Sequence, residues 1–168
     1  MQTPADRENF LRLIEENKAI IYKICNSYCP NKADREDLAQ EIIYQLWRSG
    51  HALDPHRRFS TWMYRVALNV AITFYRKKPQ DNTMVSLSGE EEKIADTTGS
   101  GELEENIKRL QTFIYELKEL EKALMILYLE SKSYKEIADI LGITETNVAT
   151  RISRIKEKLK QRFITSNK

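Results

Sequence analysis

The chain has 168 residues, room for one ordinary domain or two small ones. Apolar residues make up 41% and charged residues 31%, while 27 Lys and Arg against 25 Asp and Glu leave a net charge of only +2. A uniformly basic nucleic-acid coat is thereby excluded, and no apolar run approaches the roughly 20 residues that a membrane helix needs. The polar, mixed-charge residues 1–9 do not read as a secretory signal. Two cysteines exclude a disulfide scaffold and suit a reducing cytoplasm. With 5 Gly and 4 Pro among many helix formers, an all-α chain is expected.

The first element comes from the helical spacing of Phe10, Leu13, Ile14, Asn17, Ile20, Ile21 and Ile24, which predicts one helix over about residues 8–28, ended by Pro30. Asp34 can cap the next, with Glu36 and Asp37 in its favourable first turn. Its apolar positions are Leu38, Ile42, Leu46 and Trp47, and Ser49-Gly50 stops it. Glu36, Gln40, Glu41 and Tyr44 share a face that would repel DNA and suit a basic or polar protein surface, or simply water.

After a polar loop, residues 51–58, Ser60 or Thr61 can start a helix reaching about Lys78. This segment carries two apolar stripes: Phe59, Trp62, Met63, Val66, Ala67 and Val70, and then Tyr64, Leu68, Ile72 and Tyr75. A helix that is apolar on two sides is buried or offers one side to a partner. Residues 55–80 contain no acid but hold Arg57, Arg58, Arg65, Arg76, Lys77 and Lys78. Rings among cations suit single-stranded nucleic acid, where bases stack and phosphates pair. Trp62 and Phe74 read as core, and Asn69, between the stripes, as a candidate base reader.

Residues 79–101 read as a linker, with Pro79, Gly89, Gly99 and Gly101 among scattered Ser and Thr. The charge alternates around it: residues 1–78 carry +4, residues 79–105 carry −7, and residues 106–168 carry +5. Such segregation creates local fields that a net charge hides.

Beyond the linker, helices are expected over about residues 102–117 and 120–129. Tyr134, Ile137, Ala138 and Leu141 then form a short stripe, Gly142 permits a sharp left-handed turn, Ile143 plugs it, and Thr144 can cap a final helix with the stripe Val148, Ile152, Ile155 and Leu159. This is helix-turn-helix spacing, in which the second helix enters the major groove. Its outward residues are Glu145, Thr146, Asn147, Ala149, Thr150, Arg151, Ser153 and Arg154, which include types that pair with adenine, guanine or phosphate. A basic tail follows, with Glu157 the one acid from residue 151 to 168. A plain helical hairpin with a basic exterior is the simpler alternative.

No phosphate-cradling glycine motif or nucleophile elbow is present. Cys25 and Cys29, with His51 and His56, lack zinc-finger spacing and read as buried small hydrophobes and loop residues. No metal, no cofactor and no catalysis are expected.

Taken in order, ADREDLAQEIIYQLW, FSTWMYRVALNVAITFYRKK, an acidic linker and SYKEIADILGITETNVATRISRIKEKL resemble the sigma-70 family of bacterial RNA polymerase initiation factors, in the short layout of its extracytoplasmic-function (ECF) group. The resemblance implies that residues 1–78 are sigma region 2, residues 79–101 a linker, and residues 102–168 sigma region 4. It implies that Asp34, Glu36, Asp37, Gln40, Glu41 and Tyr44 dock on the polymerase clamp helices. It places His56, Arg57, Arg58, Phe59, Ser60, Thr61, Arg65, Asn69, Arg76 and Lys77 on the −10 promoter element, with a base flipped from the non-template strand held near Asn69. It places Thr146, Asn147, Thr150, Arg151, Ser153, Arg154 and Lys158 on the −35 element. Core RNA polymerase and promoter DNA are the implied partners, with an anti-sigma protein as a family expectation. The competing readings are a stand-alone helix-turn-helix regulator and a helical adaptor that binds no DNA.

Overall fold

The computed structural model describes residues 3–50, 53, 56–77 and 101–166. Residues 78–100, nearly all of the expected linker, lie outside the described residues, as does His51. Among those described, every regular element is a helix: α1 (Pro4–Glu16), α2 (Lys18–Tyr28), α3 (Lys32–Ser49), α4 (Phe59–Lys77), α5 (Gly101–Glu116), α6 (Glu119–Leu129), α7 (Tyr134–Leu141) and α8 (Glu145–Ser166).

The expected first helix is in fact two. At Asn17 the side-chain amide donates to the Leu13 carbonyl at 2.8 Å. The residue itself leaves helical geometry, with φ −111° and ψ 14°. A short amide that bonds back to its own turn competes with the backbone ladder, and here it ends α1 and starts α2. The true beginning also lies earlier, where Thr3 Oγ1 accepts from the Asp6 N–H at 3.1 Å ahead of Pro4. At α3 the cap is Asn31, not Asp34: Asn31 Oδ1 accepts the Asp34 N–H at 2.7 Å, and the Asp34 carboxylate sits in the first turn, where the helix dipole favours it.

Helices α1–α4 pack around Ile24, Leu38, Ile42, Leu46, Met63 and Ala67, of which each is wholly inaccessible. Burying one such large aliphatic side chain stabilises by about 1.5–3 kcal/mol. Trp47 departs from the expected stripe, being 39% exposed. One step past the Leu46 position, it is carried toward the rim of the bundle. Helices α5–α8 close over Leu124, Leu127, Ile137, Val148, Ile152 and Ile155. Tyr134 likewise leaves its stripe for the surface.

These two sets of buried residues join in a single cluster. The join explains the two-sided α4. Its first stripe faces α1–α3, where Phe10 meets Trp47, Phe59 and Trp62 edge-on at 5.9–6.0 Å. Its second stripe faces α6 and α7. Lys132 lies over the Tyr64 ring at 5.4 Å, and Lys122 lies over Tyr75 at 5.1 Å. The Tyr28 hydroxyl crosses the same seam and donates to the Glu119 carbonyl at 2.6 Å.

Candidate nucleic-acid and polymerase interfaces

The candidate docking face lies along α3. Glu36, Asp37, Gln40, Glu41 and Tyr44 are exposed, and Asp34 is half-buried. Gln45 Nε2 donates to Glu41 Oε1 at 3.1 Å, tying one carboxylate to the next turn. Beside these acids the structure adds something sequence reasoning did not supply. Leu11, Ile43 and Trp47 are 53%, 45% and 39% exposed. With Ile14, Gln40 and Tyr44 they line an open groove of about 460 Å³ between α1 and α3. Ile43 and Tyr44 sit off the buried Leu38–Ile42–Leu46 row, and that misplaced apolar pair was the available signal.

The second face follows α4. Arg65, Asn69, Thr73 and Arg76 are all exposed, and their spacing puts them in one row along the helix. The row runs beside the buried Tyr64–Leu68 stripe. His56, Arg57 and Arg58 are exposed ahead of it and Lys77 at its end, while Ser60 and Thr61 are half-buried. Phe59 is engaged with Trp62 at 5.5 Å and with Phe10, so its ring serves packing. Two of the cations are occupied: Arg76 Nε donates to Glu119 Oε1 at 2.9 Å, and Arg57 pairs with Asp139 at 3.4 Å. The Arg76 hydrogen bond is the largest influence holding the Glu119 carboxyl below its ordinary pKa.

The third face is α8. Gly142 adopts φ +70°, the left-handed cap, and its N–H bonds to the Ala138 carbonyl at 2.9 Å. Thr144 Oγ1 accepts the Asn147 N–H at 3.1 Å and so caps α8 as expected. Ser133 caps α7 in the same way, accepting the Glu136 N–H at 3.1 Å. With Val148, Ile152 and Ile155 inside, Thr146, Thr150, Ser153 and Arg154 point to solvent. Arg151 Nε donates to Asn147 Oδ1 at 2.7 Å, which orients both half-buried side chains. Lys158 is turned toward Glu121 at 3.3 Å.

Cys25 in α2 and Cys29 at its C-terminal cap are buried and not joined in a disulfide, and burial pushes the Cys25 thiol up to about 12. No group of three or more metal-ligating side chains occurs among the described residues. No described helix is long and apolar enough to cross a membrane.

Comparison with known proteins places the chain in a family. The model for sigma-70 region 2 matches residues 13–79, and that for sigma-70 region 4 matches residues 107–159. The ECF RNA polymerase sigma factor SigW of Bacillus subtilis is 30% identical, across 94% of this chain and 90% of its own. SigM of the same organism is 29% identical over 83% and 86%, and the ECF sigma-E factor of Haemophilus influenzae 25% over 94% and 89%. Among solved structures, CnrH in complex with the cytosolic domain of CnrY superimposes with a TM-score of 0.67 at 19% identity, covering 95% of this chain and 90% of that one. The sigma factor RpoE in complex with the anti-sigma factor NepR from Bartonella quintana gives 0.67 at 17%, covering 95% and 96%. With both regions matched in order and a relative aligned along nearly the whole length, the chain belongs to the sigma-70 family, as an ECF-type RNA polymerase sigma factor.

Proposed function

We propose that this sigma factor works as a dissociable promoter-specificity subunit whose three faces divide the labour. Residues 1–78 form the polymerase-binding and −10 unit, residues 79–101 the tether, and residues 102–168 the −35 unit. On α3, Asp37, Gln40, Glu41 and Tyr44 meet the clamp helices of core polymerase, with Asp34 and Glu36 at the acidic start. The neighbouring groove of Leu11, Ile43 and Trp47 gives that contact an apolar centre, so a charged rim surrounds a dry middle, as in other specific protein interfaces.

The row Arg65, Asn69 and Arg76, with His56, Arg57, Arg58 and Lys77 around it, tracks the −10 strand. Asn69 reads an extruded base while the cations hold phosphates. Ser60 and Thr61 lie close enough to the helix start to add hydroxyl contacts. On α8, Thr146, Thr150, Ser153 and Arg154 face the major groove. Arg151, held by Asn147, is preset for base or phosphate contact, and Lys158 reaches the backbone. The polymerase performs the chemistry, and the chain itself needs neither catalysis nor cofactor. Its place is the cytoplasm, with the polymerase. An anti-sigma protein, of the kind that RpoE of Bartonella quintana carries in NepR, is a proposed regulatory partner.

The observation that best supports this reading is the coexistence on one chain of a solvent-facing α8 and the acid-rimmed apolar groove on α3. A stand-alone regulator needs the first but not the second. Mixing the chain with core polymerase and a promoter library is the test. Transcripts from defined start sites support the proposal. Tight duplex binding without polymerase, and no new starts with it, would favour the regulator.

A further inference from the structure

We propose that Phe10 of α1 is a positioning residue for the −10 reading: its ring holds the end of α3 and the first turn of α4 in register, and so fixes where His56, Arg57 and Arg58 stand before the promoter. The inference rests on the reading of those three residues as −10 contacts.

Phe10 is buried and belongs to none of the three faces. Its ring meets Trp47, Phe59 and Trp62 edge-on, at 5.9, 6.0 and 5.9 Å. Phe59 and Trp62 also meet one another at 5.5 Å. These partners come from the two helices that flank residues 56–58. Trp47 lies in the last turn of α3, Phe59 is the first residue of α4, and Trp62 stands one turn further on. One side chain from a third helix therefore pins both sides of the junction that carries His56, Arg57 and Arg58.

The junction depends on that pin. The first turn of α4 has no acid to meet the helix dipole. The Trp62 N–H reaches the Arg58 carbonyl at 3.2 Å, so Arg58 is tied to the same turn that the rings hold. Packing thus sets the direction in which α4 starts, and Arg58, joined to Phe59 by a peptide bond, follows the Phe59 ring. Edge-on pairing is directional, because the positive rim of one ring seeks the negative face of another. It fixes an angle as well as a distance, which an aliphatic side chain of similar size does not. Phe10 is itself seated on a firm helix: Thr3 caps α1, and Ile14, one turn beyond Phe10, is buried. Side chains that read a partner need placement to within about 0.5 Å, and packing of the residues behind them supplies it. The ring cluster includes no residue of α8, so the −35 face provides an internal reference.

The test uses the full chain reconstituted with core polymerase and two barcoded promoter libraries, one randomised around −10 and one around −35. Each library yields a discrimination ratio, the transcripts from the preferred sequence over those from a single-base change. Phe10→Leu should lower the −10 ratio about tenfold and leave the −35 ratio within about twofold of the parent. A merely structural loss lowers output from every template and moves neither ratio. Phe59→Leu should reproduce the one-sided loss, and the double variant should add little to it, as expected where one residue acts through the other. Ile24→Val, a core change on α2 outside the ring cluster, should keep both ratios at the parental values. Unchanged −10 discrimination in Phe10→Leu, equal losses at both elements, or fully additive losses in the double variant overturns the proposal. Should Phe10→Leu lose helicity by circular dichroism, Phe10→Met, whose longer side chain fills the space without setting ring angles, is read by the same criteria. A parent chain that starts no transcripts with core polymerase counts against the functional reading instead. A parent that discriminates at −10, matched by its Phe10 variants, counts against the positioning role alone.

Discussion

Lys122 offers the most quantitative check on the seam. It is the one charged side chain counted among the fully buried residues described. Burial, ahead of any neighbouring charge, lowers its pKa from the usual 10.5 to about 8, with Cys29 and Glu119 pulling modestly the other way. That difference is about 3 kcal/mol between the two protonation states. The folded pKa lies below the unfolded one, so the unfolded chain binds the extra proton between about pH 8 and 10.5, and stability rises through that window. Below it the lysine is charged in both states and the burial cost is fully present.

Lys122→Met keeps length and stem while removing the charge. Near pH 7 it forgoes contacts with the rings of Tyr28, Tyr75 and Tyr115 but sheds the desolvation cost, so a net stabilisation of about 1–2 kcal/mol is expected. The gap between variant and parent should narrow by about 2 kcal/mol on going to about pH 9.5. Ionisation of the tyrosines, of which Tyr64 is pushed up to about 12 by burial and then by Glu130, occurs in both proteins and cancels in the difference. Urea denaturation of parent and variant across that pH range is the assay. A gap that stays constant with pH, or a Lys122 side chain titrating near 10.5 by NMR, would refute the argument.

Three further outcomes follow from the same geometry. Gly142→Ala should cost about 1 kcal/mol in urea denaturation, because φ +70° is strained for an L-residue while an added Cβ there meets nothing within 4 Å. Charge reversal at Asp37 and Glu41 should weaken association with core polymerase in a direct binding titration and leave the helical content intact; unchanged affinity would remove that face from the interface. Arg154→Ala should cost about 1–3 kcal/mol in use of −35-dependent promoters if it reads a base, with polymerase binding preserved, as measured by promoter binding of the reconstituted holoenzyme across a salt series.

Where one turn of chain carries both the signal and its consequence, the sequence was sufficient. Gly142, Thr144 and the Val148–Ile152–Ile155 stripe specify a turn and a buried face within a few residues of each other, and α7 and α8 follow them. The Leu38–Ile42–Leu46 row did the same for α3. Asn17 misled because its position fits the apolar period, while its amide acts on the backbone of its own turn. Asn31 outcompeted Asp34 as a cap because it stands three residues ahead of a free N–H. The region-2 and region-4 motifs found the three candidate faces, but the groove on α3 needed two helices to be set side by side before Leu11 could join Ile43 and Trp47. The seam was the least legible feature. Its pairs join residues 43 to 107 positions apart, and nothing local in KALMIL marks its lysine as the one that three tyrosines surround. The two-sided α4 was the hint: it called for a cover, and the cover was the rest of the same chain.

That shared core bears on how long the protein lasts in a cell. Any form in which the halves part sets Tyr64, Leu68 and Tyr75 before proteases and chaperones, which recognise such surface in unfolded chains. A chain whose two sets of helices stay packed on one another presents little of that surface to degrade. Its turnover then depends on how firmly the shared core holds the two sets of helices together.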